Sequence, residues 1–181
     1  MSTALTLSGS IRKGSLNQQL QEHVGRQLQA AGVAVTAISL RDFPMPIFDE
    51  DMESDQVPEA AGRLAALFGS HDIVFWASPE YNGGVTPLTV NTIAWLSRQK
   101  PSPFRHAVFG IGGVSSGKYG TIFALSHLRD SLSKLGALVV PTLLGIGPAA
   151  EALDGAGNPL EPAIISKVET MVHELTHCRR G

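Results

Sequence analysis

Five short runs rich in β-branched and apolar residues alternate with stretches of helical periodicity along the chain, and this alternation limits the fold more than any other feature. The runs are Thr3–Leu7, Val33–Leu40, Ile73–Ala77, Ala107–Ile111 and Ala137–Leu143. Between the first two, Leu16, Leu20, Val24, Leu28 and Ala31 form one apolar helical stripe, and Gly32 stops it. Further helices are predicted over Ala60–Phe68, Leu88–Ser97, Thr121–Leu135 and Pro162–His177. In the fourth helix, Leu125, Leu128, Leu132 and Leu135 share a face, and Gly136 ends it. Strands alternating with helices predict a parallel sheet covered on both faces.

Five βα units in 181 residues fit a single flavodoxin-like α/β domain spanning residues 1–181. The expected architecture is a doubly wound five-stranded parallel sheet in the order 2-1-3-4-5. A hydrophobic share of 43% builds a core and excludes wholesale disorder. Fourteen Lys and Arg against sixteen Asp and Glu leave a net charge of -2, which does not suit a nucleic-acid or anionic-membrane partner. The single cysteine, Cys178, forbids an intrachain disulfide and fits a reducing compartment. Met1 to Ser8 reads as a strand and not as a signal peptide. The longest apolar stretch, Ala137–Gly147, is interrupted by Pro141 and falls short of the roughly 20 residues of a membrane helix. A cytoplasmic location is the expectation.

Ligands of such sheets lie beyond the carboxyl ends of the strands, near the reversal of strand order. The loops there are Ser8–Asn17, Ser78–Pro87 and Gly110–Gly120, and they hold nine of the nineteen glycines. In the first, a strand, a Gly- and Ser-rich turn and a helix start together make an anion site. Ser10, Ser15 and Asn17 are candidate donors to phosphate oxygens, with Arg12 or Lys13 offsetting charge. The plainer alternative, which the spacing favours less, is a capping turn with Ser15 as N-cap. The second loop, with Pro79, Gly83, Gly84 and Pro87, holds the backbone in a wrap suited to the edge of a planar heterocycle. Within it Tyr81 either flanks a ring or packs, and Glu80 either caps a helix or forms an ion pair. Two other loops exceed what connection needs. Arg41–Gln56 carries Phe43 to Phe48 and an acidic run, and Leu144–Pro159 is expected to be a surface excursion.

Gly9-Ser10-Ile11-Arg12 with Ser15 and Asn17, then Pro79-Glu80-Tyr81-Asn82, then Asn91 through Trp95 to Ser97-Arg98, resemble the NADPH-dependent FMN reductase family of flavodoxin-like quinone, azo-dye and chromate reductases. Phe43-Pro44-Met45-Pro46 with Asp49 to Glu53, Ser115 to Gly120, His127-Leu128-Arg129 and Leu135-Gly136-Ala137 extend the resemblance over about residues 3–145. It implies FMN with its phosphate in the Ser10 to Gln18 turn. The ring would lie against Pro79, Glu80, Tyr81, Asn82 and Gly83 and against Ser115, Ser116 and Gly117. It implies NADPH or NADH as reductant, a small-molecule acceptor such as a quinone, azo or nitro compound, metal oxyanion or free flavin, and ping-pong turnover. No side chain is expected to be catalytic, since the chemistry belongs to flavin N5. A homodimer or homotetramer is implied as well. The chain departs from the family in Val90, where a Lys is common, and in Ala94, where an Asp is common, both on the helix associated with the dimer contact.

Other motifs are weaker. Gly112 to Lys118 meets the G-x-x-x-x-G-K spacing of a triphosphate loop, but position 119 is Tyr, so the Mg²⁺ ligand is missing. His173-Glu174-Leu175-Thr176-His177 meets H-E-x-x-H with four residues after it, so no metal site is expected. His71, His106 and His127 read as surface or packing residues, and Trp76 and Trp95 as core or interface. The alternative function is a flavin-binding electron carrier or redox sensor. It would meet its partner through Asp49, Glu50, Asp51, Glu53 and Asp55.

Overall fold

A computed structural model describes residues 1–53 and 56–179. Its main sheet is parallel and contains β1 (Thr3–Ser8), β2 (Ala34–Ala37), β3 (Ile73–Ala77), β6 (Val108–Val114) and β7 (Leu138–Ile146). The order is β2-β1-β3-β6-β7, the expected 2-1-3-4-5 for these five strands. Between β3 and the next helix, β4 (Glu80–Tyr81) and β5 (Gly84–Val85) form a separate antiparallel hairpin. The helices are α1 (Leu16–Ala30), α2 (Glu59–Ser70), α3 (Pro87–Ser97), α4 (Ile122–Lys134), the short α5 (Ala149–Ala152) and α6 (Pro162–His177).

The periodicities account for two cores. Leu20, Val24 and Leu28 of α1 meet Phe75, Leu144 and Ile146, together with Met171 and Leu175 of α6. On the other face, Leu64 and Phe68 of α2, Leu96 of α3 and Leu125, Leu128 and Leu132 of α4 surround Trp76 and Phe109. Strands β3 and β6 are buried along their whole length, which is why they read as continuous apolar runs. The edge strand β2 is mostly exposed and shorter than the expected Val33–Leu40. Ser39 Oγ accepts from the Arg41 amide and turns the chain into a 3-10 turn, Leu40–Asp42.

Strand β6 runs three residues past the expected Ile111, so Gly110, Gly112 and Gly113 belong to the strand and not to a ligand loop. A Cβ at Gly110 would press on Leu175 and Met171, and one at Gly112 on Leu144 and Phe75. At Gly113 it would collide with the Ser78 carbonyl and Thr121. These glycines let layers approach closely. With Gly112 and Gly113 in a strand, the Gly112 to Lys118 segment makes no phosphate cradle.

The Leu144–Pro159 segment is also corrected. It contains the end of β7, then α5, then a bridge from Leu153 to Pro159, and Ala149, Ala152 and Leu153 are buried in the α1–α6 core. In α6, Glu174 accepts from the Thr142 amide and hydroxyl, both at 3.0 Å, and so ties the helix to β7. His173 and His177 stack with centroids 4.0 Å apart beside it.

Candidate functional site

Register places the candidate turns side by side. Ser8 pairs with Ala77 and Ala77 with Gly112, so the chain leaves β1, β3 and β6 at neighbouring points. With strands about 4.8 Å apart, the three turns share a shelf about 10 Å across.

The first turn is fixed from below. Gly9 N–H donates to the Ala77 carbonyl at 2.7 Å, and Thr86 Oγ1 donates to the Gly9 carbonyl at 3.1 Å. A Cβ on Gly9 would strike Thr89 Oγ1, so only glycine allows the start of α3 to sit this close. Ser10 N–H bonds Ser8 Oγ, and Arg12 N–H bonds Ser10 Oγ. The exposed Arg12 guanidinium lies back over the turn on the carbonyls of Lys13 and Gly14, at 3.3 and 3.2 Å. Arg41 reaches across from the segment after β2 to the Ile11 carbonyl. Ser15 is the N-cap of α1, yet its hydroxyl makes no cap hydrogen bond. The first-turn amides of α1 have no intrahelical acceptor, and no acidic residue occurs from Gly9 to Gln21. Gln18 is exposed at the start of α1, its amide 3.2 Å from Glu22.

Asn17, expected as a phosphate donor, is tied to the end of β6. Its side chain is buried, donating from Nδ2 to the Val114 carbonyl at 2.9 Å and accepting at Oδ1 from the Val114 amide at 3.0 Å. Both ends of the side-chain amide are used. Asn17 therefore pins the end of β6 to the start of α1.

After β3, Asn82 and Gly83 have φ of 52° and 74°, the pair of positive values of a type I′ hairpin turn. Tyr81 stands out from the hairpin and is 55% exposed. Pro79 packs beside Gly9, its Cδ 3.5 Å from where a Cβ would stand. Glu80 turns away from the shelf. Its Oε2 accepts from the Ala124 amide at 2.9 Å in the first turn of α4, which resolves its two possible roles in favour of the helix cap. After β6, Ser115 closes its own loop. Its amide donates to the Ile146 carbonyl at 3.1 Å, and its hydroxyl donates to the Gly120 carbonyl at 2.7 Å and accepts from Gly117 N–H at 3.3 Å. Ser116 and Gly117 stay exposed at the crest. Thus Ser10, Arg12, Ser15, Pro79, Tyr81, Asn82, Gly83, Ser116 and Gly117 border one shelf, while Asn17, Glu80 and Ser115 hold its parts in place. Thr86 and Thr89 carry no sequence signal, because only their approach to Gly9 gives them a role.

The segment after β2 is bound to α3 and not loose. Asn91 accepts from Phe48 N–H at 2.7 Å and donates to the Pro46 carbonyl at 2.8 Å. Trp95 Nε1 donates to the same carbonyl, and its ring meets Phe48 edge-on at 5.0 Å. Arg98 lies over Phe48 and pairs with Glu53 at 3.1 Å and Glu50 at 3.9 Å. Asp49 Oδ1 accepts from Asp51 N–H. The acidic run is thereby partly spent within the chain, and Asp55 lies outside the described residues. Among the described residues, no group of three or more His, Cys, Asp or Glu is arranged to hold a metal ion.

A 2-1-3-4-5 parallel sheet with a Gly- and Ser-rich turn after its first strand and exposed turns after its third and fourth is of the flavodoxin-like class. Residues 2–151 match the NADPH-dependent FMN reductase family, and the chain belongs to that family. An NAD(P)H-dependent FMN reductase of Pseudomonas aeruginosa is 33% identical over 160 residues, covering 87% of this chain and 84% of that one. A quinone reductase of Escherichia coli is 32% identical over 145 residues, covering 78% and 76%. The solved structure of FerB, a flavoenzyme NAD(P)H:(acceptor) oxidoreductase from Paracoccus denitrificans, superposes with a TM-score of 0.80 at 24% identity. That match covers 97% of this chain and 98% of FerB, and shows the same fold. Membership makes the chain an oxidoreductase of the FMN-using, NAD(P)H-dependent class.

Proposed function

We propose that this protein uses FMN to carry electrons from NADPH or NADH to a small organic acceptor, a quinone before the azo, nitro, metal-oxyanion and free-flavin alternatives. The observation that carries the reading is the α1 turn. Ser15 Oγ makes no cap bond there and Arg12 and Lys13 flank it, although Glu22 and Asp42 border the hollow beside Ser10 and Gln18. These groups fit a phosphate monoester. FMN supplies the hydride acceptance and the onward electron transfer once bound. The chain's part is to bind and orient. Ser10, Ser15 and Arg12 hold the phosphate, and the hairpin at Pro79 to Gly83 supports the ring edge. The crest at Ser116 and Gly117 borders its other edge, with the Gly117 N–H held by Ser115 Oγ.

The exposed shelf favours ping-pong turnover, with nicotinamide and acceptor using one open face in succession. Phe43, Met45 and Phe48 turn inward, whereas Ile47 is 86% exposed and free to touch an acceptor. Val90 on α3, Tyr119 before α4 and Phe123 in its first turn are exposed apolar residues that a homodimer would cover. No helix among the described residues is long and apolar enough to cross a membrane. The carrier reading loses its main support, since Arg98 pairs with both Glu50 and Glu53. Anaerobic stopped-flow mixing of the FMN-loaded protein with NADPH tests the reading. Rapid bleaching directly to the two-electron reduced form is expected, and no bleaching with either nucleotide refutes it.

A further inference from the structure

A cavity of about 670 Å³ lies between α2 and the segment joining α3 to β6, at the amino ends of the strands and opposite the shelf. Its volume is within the range of about 300–1,000 Å³ common for small-molecule sites. The floor is one face of α2, presented by Gly62, Ala65, Ala66 and Gly69, and the rim carries Lys100, Arg105 and His106. No Asp or Glu lines it.

Two features mark this hollow out. Glycine within a helix is destabilising relative to alanine, yet Gly62 in the first half of α2 and Gly69 in its last turn have no positive φ, and a Cβ on either would meet no atom within 4 Å. Close packing does not require them. Three exposed basic side chains also border the hollow with no carboxylate among its lining; Arg105 rests against Gly136 at the end of α4 as well, and His106 faces Asp72 on its other side.

We propose that this cavity binds a small aromatic anion. The ring lies flat on the Gly62–Gly69 face, where missing side chains let it reach the helix backbone. Its carboxylate, sulfonate or phosphate points to Lys100 and Arg105. The site does not depend on the flavin reading.

Calorimetric titration of the FMN-saturated protein with 1-naphthalenesulfonate tests this. One saturable site is expected. The neutral 1-naphthalenemethanol should bind about tenfold more weakly, as should the sulfonate to Arg105→Ala. Gly62→Ala and Gly69→Ala should each raise Tm by about 1–4 °C and still weaken the sulfonate at least about threefold. Stabilised variants remove misfolding as an explanation. Amide NMR shifts on adding the sulfonate should centre on Gly62 and Gly69. The proposal is overturned by absence of saturable heat at millimolar probe, by equal binding of the neutral compound, by unchanged affinity in Gly69→Ala, or by shifts centred on Gly14, Gly83 and Gly117.

Discussion

Replacing Asn17 with Ala separates two accounts of the turn after β1. The side chain makes two buried hydrogen bonds to Val114, a residue 97 positions away, and Asn17 and Val114 are 4% and 3% exposed. Alanine leaves the Val114 N–H and C=O without partners in a site closed to bulk water. At about 1–3 kcal/mol for each of the two stranded groups, the loss is about 2–6 kcal/mol, a large part of the roughly 5–15 kcal/mol that holds a domain folded. For a chain of this size that lowers Tm by about 4–24 °C. Asn17→Asp should be no better, because a carboxylate keeps the bond from Val114 N–H but sets a buried charge against the Val114 carbonyl. Urea unfolding of the apo protein measures the loss directly, and a flavin fluorescence titration measures FMN affinity in parallel. The expected outcome is reduced stability, with weaker FMN binding following from a loosened Ser115 loop. Unchanged urea midpoint together with weakened FMN binding would refute the argument. It would restore Asn17 to the phosphate-donor role that its position in the motif suggests.

Further outcomes follow from other parts of the site. Arg12→Ala removes an exposed cation and should weaken FMN about threefold to tenfold in the same titration; no change would show that the helix terminus and hydroxyls suffice. Glu80→Ala strands the Ala124 amide and should destabilise by about 0.5–2 kcal/mol in thermal unfolding, whereas an unaltered Tm would show that the cap contributes nothing. Burial holds the His23 pKa below its usual 6.5, aided by Arg26 and opposed by its Asn158 hydrogen bond and by Asp154. The unfolded chain therefore takes up the proton first, and stability should fall as pH drops below about 6.5 and level off below the folded-state pKa. His23→Gln should flatten that part of the urea-midpoint profile, and an unchanged slope would assign it to other groups.

Much of the fold is legible because its signals are local. The stripe from Leu16 to Ala31 and the apolar runs at Ile73 and Ala107 each declare an element without reference to the rest of the chain. What could not be read depends on distant partners. Gly110, Gly112 and Gly113 look like loop glycines until Met171, Leu175 and Thr121 arrive beside them. Glu80 has two chemically reasonable roles until the start of α4 supplies the Ala124 amide. The 144–159 segment lacks a long periodicity, yet Ala149, Ala152 and Leu153 complete a core built mainly by α1 and α6.

These long-range ties also sort the motif residues by function. Asn17 joins the α1 turn to β6, Glu80 joins the hairpin to α4, and Thr86 joins the start of α3 to Gly9. Each tie links two of the elements that border the shelf, so loosening one displaces the phosphate turn relative to the ring support. Arg12, Ser116 and Tyr81 make no such tie and are exposed. Substitution at the first group should therefore alter stability and FMN affinity together, while substitution at the second should alter affinity with stability nearly unchanged. A motif found in one stretch of sequence thus contains two kinds of residue, and only the geometry distinguishes those that meet the ligand from those that hold its site together.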